Sequence, residues 1–230
     1  MQTPKKEEKQ TTTIYQKVNH IADWFIRLVV INVFVIIMML PIVTFYAAIS
    51  AGHRMFIDHI RKDEPKLISG YFGYFKDQLG KKIWIGVILI FVIAFGFMNV
   101  NYYIEALNEE INWFFSIGYY VTFAILVSIY AITLYSFIVI QVFPTVKLRM
   151  LFKVSFYLAG KYFWLTILAM MVWSLPALIF LSLTWVIIPA LFLFFIFFGI
   201  STPIWLYTYI TRKPLAYVES LGDTHDEAGD

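Results

Sequence analysis

The sequence predicts an all-α protein: a polytopic membrane helix bundle of about five transmembrane helices, with short amphipathic interfacial helices on the cytoplasmic side. Three observations carry that prediction. Of 230 residues, 60% are hydrophobic, 20% aromatic and only 14% charged, whereas soluble domains are roughly one-quarter charged. The apolar residues fall in blocks near or above about 20 residues, the length that crosses a hydrocarbon core roughly 30 Å thick. Blocks such as IWIGVILIFVIAFGFM and LFLFFIFFGI have no polar face, which excludes a β-barrel and leaves helices to satisfy the backbone in lipid.

Residues 1–23 form a tail and an amphipathic lead-in. Thr13 and Gln16 have capping-box spacing, and Ile14, Val18, Ile21 and Phe25 recur at helical intervals, predicting a short surface helix. No short apolar core with a small-residue cleavage site is present there, so the first span is expected to act as the insertion signal. A single transmembrane domain follows over 24–213, with spans at about 24–46, 83–104, 113–143, 163–183 and 186–210. The third, at 31 residues, is long for an upright crossing and predicts a tilt or an interfacial extension. LSLTW, 181–185, is so short that the fourth and fifth spans must form a tight antiparallel hairpin. Segment 69–82 places Tyr71, Phe75 and Leu79 on one side, and segment 145–161 does the same with Val146, Met150, Val154 and Leu158. With lysines beside them, both read as helices lying in the inner headgroup layer. FKDQLGKKIW (75–84) and FKVSFYLAGKYFW (152–164) share Phe-Lys, Leu, Gly-Lys and Trp, a faint internal repeat of surface helix plus span. Residues 214–230 read as a disordered acidic tail.

Orientation is read from the 18 Lys and Arg: five lie in residues 1–27, seven from Arg54 to Lys82, four from Lys147 to Lys161, and two at Arg212 and Lys213. With five spans the last three groups share one side, thirteen against five, which predicts the N-terminus outside and the C-terminus in the cytoplasm. The loop at 105–112 carries Glu105, Glu109 and Glu110 and no base, as an outer loop would.

MMLPIVTFYAAISAGHRMF, 38–56, is the densest stretch. Pro41 cannot bond to the carbonyl of Ile37 and predicts a kink, with Thr44 just beyond it. Ala47, Ala48, Ala51 and Gly52 then form a small-residue groove that another helix could fill, either from this bundle or from a partner. His53 and His59 are six apart and do not converge as metal ligands would. Arg54 and Asp58 read as an i, i+4 pair on a solvated helix. Arg27 and Asn32 are candidates for a polar pocket, with Asp23 and Arg27 spaced as an anchoring pair. Lys76, Lys81, Lys82, Lys147, Arg149 and Lys153 are candidate lipid-headgroup contacts. Pro176, Pro189 and Pro203 interrupt the predicted hairpin. With no charged residue and no Asn or Gln from Tyr162 to Thr211, the spans lack the buried ionisable groups of an ion-coupled carrier. The absence of cysteine excludes thiol catalysis and thiolate metal sites. No catalytic residue, cofactor or metal site is expected.

ADWFIRLVVINVFVIIMMLPIVTFYAAISAGHRMF followed by YFGYFKDQLGKKIWIGVIL resembles the YesL-like family of bacterial integral membrane proteins. Trp24, Arg27, Leu28, Asn32, Leu40, Pro41, Thr44 and Ala47 carry the likeness, while Tyr46 stands where many members have a second proline. The family is a domain of unknown function often encoded beside carbohydrate importers. The resemblance therefore implies a multi-pass protein of the bacterial cytoplasmic membrane whose partner is a sugar importer. The expected function is a non-enzymatic accessory or regulatory role in carbohydrate uptake, touching membrane lipids and no nucleic acid. A small transporter or channel for a neutral solute is the alternative.

Overall fold

The structure, a computed structural model, describes residues 4–63, 65–109, 112–181 and 195–227. Helix α1 runs from Pro4 to Met39. No proline or glycine interrupts residues 5–39, so the lead-in and the span are one helix, and Thr13 lies inside it rather than capping it. At Pro41 the helix stops instead of kinking. Leu40 still bonds to the Ile37 carbonyl at 3.3 Å, but residues 42–44 tighten into a 3-10 turn. The Thr44 hydroxyl reaches the Met38 carbonyl and lies 2.7 Å from that of Pro41. Leu-Pro-x-x-Thr is thus a helix stop whose threonine hydroxyl serves a carbonyl left without its helical partner where α1 ends.

Helix α2, Phe45–Arg61, folds back along α1, bringing Gly52 beside Ile31 and Val35. Its 17 residues make about 25 Å, and from Tyr46 to Asp58 every residue except Arg54 is buried. The stretch around Arg54 and Asp58, expected to be a solvated helix, instead belongs to the central helix of the bundle, whose small residues Ala47, Ala48, Ala51 and Gly52 let its neighbours approach. Lys62, with φ 64°, ends α2 in the left-handed conformation, its N–H shared between the carbonyls of Asp58 and His59. Because the chain reverses at 40–44, the N-terminal part of α1 and the end of α2 lie at the same end of the bundle.

Helix α3 is Leu67–Lys76, shorter than the 69–82 expected, and α4 is Leu79–Glu109. Helix α5, Trp113–Val142, begins where the Asn112 side chain accepts from the Phe114 amide at 2.9 Å. Helices α4 and α5 cross closely at Gly96, where a Cβ would collide with Leu126. Helix α6, Leu148–Lys161, and α7, Phe163–Leu181, meet at a 104° bend. Both proposed repeat copies are a short helix, a break and a long helix, each with an exposed Trp, 84 or 164, just past the break. Helix α8 covers Ser201–Ile210 and α9 Arg212–Glu227. Residues 214–227 of the tail expected to be disordered are thus helical, with Leu215 and Val218 buried.

Ile21–Met39, Leu79–Asn108 and Trp113–Val142 are long and apolar enough to cross a membrane, and the bent pair α6–α7 would make a fourth. Phe195–Ile210 is a shorter apolar helix. The tight hairpin near 181–185, Pro189 and the first part of the fifth span lie outside the described residues. Four fully buried tyrosines join the helices. Tyr46 pairs with Ser136 at 2.8 Å, Tyr71 donates to the Ala48 carbonyl at 3.1 Å, and Tyr207 donates to the Leu134 carbonyl at 2.6 Å. Tyr135 accepts from Thr166 at 3.1 Å.

Candidate functional site

Polar side chains from four helices gather beside the second half of α2, at the end of the bundle where α4 begins and α5 finishes. Helix α2 supplies Ser50, His53, Arg54 and Asp58 on successive turns. Tyr74 comes from the last turn of α3, Asp77 from its C-cap, Lys82 from the first turn of α4 and Gln141 from the last turn of α5. Asp58, 4% exposed, accepts from the Tyr74 hydroxyl at 2.5 Å and lies 3.4 Å from Arg54 Nε. The Arg54–Asp58 pair is real, but its carboxylate is buried rather than solvated. The guanidinium also stands over the Tyr74 ring, 5.7 Å from its centre. Burial and the neighbouring Asp58 push the Tyr74 pKa up.

Gln141 Nε2 donates to the Ser50 carbonyl at 3.2 Å and lies 2.8 Å from His53 Nδ1. The amide is the donor, so the imidazole proton belongs on Nε2, which is buried without a partner. Ser50 Oγ and Gln141 Oε1 are orphaned in the same way. Beside them lies a cavity of about 140 Å³, lined by Ser50, Arg54, Tyr74, Asp77, Lys82 and Gln141 together with Ile140 and Pro144.

The candidates named from sequence divide. Ala47, Ala48 and Ala51 are fully buried, and the groove they form with Gly52 is closed from within the chain, by Ile31 and Val35 of α1 and Ile204 of α8. An outside helix has no room there. Asn32 is fully buried and its amide joins α1 to the chain before and into α8, donating to the carbonyls of Phe195 and Ile196 and accepting from the amides of Ile200 and Ser201. Arg27 forms its expected pair with Asp23 at 2.7 Å. Lys81 donates to the carbonyls of Pro144 and Val146, and Lys82, 4% exposed, donates to that of Tyr74 at 2.8 Å. Both are therefore tied to the protein, because the loop after α5 and the end of α3 present carbonyls with no helical partner. Lys76, Lys147, Arg149 and Lys153 are exposed.

Ser50, Tyr74 and Asp77 were not singled out from sequence. Gln141 is the strongest polar residue of its helix, the one signal in the sequence that points here. At other depths the bundle offers apolar clefts. One of about 500 Å³ lies among α2, α4, α5 and α7, lined by residues such as Ile49, Phe97, Leu126, Phe137 and Trp173. Among the described residues no three His, Asp or Glu side chains gather as a metal site would need.

All-helical architecture with several helices long and apolar enough to span a bilayer defines the class, that of a helical membrane protein. Within it, residues 28–101 match the family described as "Protein of unknown function, DUF624", a stretch that runs from α1 through the helix stop, α2 and α3 into α4. No curated protein and no solved structure matches the chain.

Proposed function

We propose that the protein is a non-enzymatic accessory of the bacterial cytoplasmic membrane, YesL-like, which regulates a carbohydrate importer by binding it within the bilayer. The observation that carries this reading is where the polar groups are used. Asn32, Asp58, Lys81, Lys82 and Gln141 all bond inside the bundle. The long helices α4 and α5 instead present apolar side chains outward, including Phe91, Phe95, Phe97, Phe114 and Phe123. A transporter needs a polar path, whereas an accessory needs an apolar flank. The resemblance to proteins encoded beside importers supplies the choice of partner.

The orientation that this reading favours is not the one expected from sequence. With α2 folded back on α1, the N-terminal part of α1 shares one end of the bundle with the later basic groups, and the end of α4 lies at the other. This supports both termini on the cytoplasmic side.

Mild-detergent purification of the full chain should recover subunits of a sugar importer, and an impermeant thiol reagent on intact cells should label Asn108→Cys but neither Asn19→Cys nor Lys66→Cys. A chain that purifies alone and carries a neutral solute into proteoliposomes would replace this reading with the transporter one.

A further inference from the structure

We propose that the cavity beside Lys82 binds an anionic phosphate group, that of a lipid headgroup in the adjoining leaflet. The inference rests on the cavity and not on the accessory role. Lys82 is nearly inaccessible, and its ammonium, with three N–H donors, has one hydrogen bond, to the Tyr74 carbonyl at 2.8 Å. The nearest buried carboxylate, Asp58, is engaged by Arg54 and the Tyr74 hydroxyl, and Asp77 stands exposed at the rim. Ser50, 1% exposed, lines the same space with a hydroxyl that has no partner. A buried cation with unused donors, a second cation in Arg54 and a free hydroxyl together suit tetrahedral anionic oxygens, which accept several charge-assisted bonds at once.

The position favours a lipid as the source. The cavity sits at the first turn of α4 and the last of α5, where two candidate spans leave the hydrocarbon. Trp84, 65% exposed and half a turn past Lys82, marks the same level. A free phosphate offers the same oxygens, so the two sources are separated by experiment.

The full chain, purified in detergent, is titrated in native mass spectrometry with phosphatidylglycerol, with diacylglycerol of the same acyl chains, and with inorganic phosphate. Wild type should retain one phosphatidylglycerol and no diacylglycerol. Lys82→Met and Arg54→Gln should each weaken retention about tenfold, while Lys76→Gln and Lys153→Gln leave it unchanged. Should Lys82→Met fail to fold for want of its bond to Tyr74, Ser50→Val, which crowds the cavity wall without touching a charge, serves instead and should weaken binding comparably. Binding of inorganic phosphate with the same sensitivity to these variants, displacing the lipid, would keep the phosphate site and make the free ion its occupant. Equal retention of diacylglycerol, or undiminished lipid binding by folded Arg54→Gln and Ser50→Val, would overturn the proposal.

Discussion

Asn32→Leu should destabilise the bundle by about 2–4 kcal/mol. The wild-type side chain makes four hydrogen bonds, Nδ2 to Ile196 O at 2.5 Å and Phe195 O at 3.1 Å, and Oδ1 from the amides of Ile200 at 2.9 Å and Ser201 at 2.8 Å. Side-chain bonds between membrane helices average only about 0.6 kcal/mol each, so four account for the lower bound. The upper bound reflects the buried amides at the start of α8, which leucine leaves without an acceptor. In a chain of this size that corresponds to a fall in the unfolding midpoint of roughly 5–15 °C. Asn99→Leu is the control, since the exposed Asn99 bonds only within its own helix, to Phe95 O at 2.8 Å, and should shift the midpoint little. Equal midpoints for Asn32→Leu and wild type would remove the amide from any role in holding α1 to α8.

Gly52→Leu should prevent the bundle from forming. A Cβ at this position would already stand 3.1 Å from Val35 Cγ2, 3.4 Å from Ile204 Cδ1 and 3.5 Å from Ile31 Cγ2. Gly52→Ala therefore presses on Val35 and should cost about 1–3 kcal/mol. Leucine adds three carbons with α1 on one side and α8 on the other, so relief requires the central helix to move. Size-exclusion profiles in detergent should show a monodisperse peak for wild type, a weakened but folded Gly52→Ala, and aggregate for Gly52→Leu. Val35→Ala should rescue part of the Gly52→Ala loss. A folded Gly52→Leu that merely failed to recruit another protein would restore the groove as an outside contact.

The long apolar helices were legible in the sequence because lipid demands continuous runs, and α4 and α5 supply about 30 residues each. Helix α2 was not. Its His53, Arg54, Asp58 and His59 look like the markers of a span that has ended, and nothing local reveals that Tyr74 and Gln141 arrive to pair with them. The internal bonds of Lys81 and Lys82 were hidden for a related reason. Their acceptors are backbone carbonyls, of Pro144 and Tyr74, and a main-chain acceptor leaves no trace in residue identity. The Leu-Pro-x-x-Thr motif was read as a kink because Pro41 alone predicts one. Its threonine turns the kink into a reversal.

The Asn32 clamp also sets an order of events during biosynthesis. Its partners lie 163 to 169 residues further along the chain. At about 5–20 residues per second a ribosome needs roughly 8–33 s to reach them. Throughout that interval α1 carries an unsatisfied amide, while the α4–α5 hairpin, made of sequence neighbours, can already close. Assembly is therefore completed after translation rather than in step with it, and whatever insertase receives the first helix must shelter a polar side chain until the last one arrives.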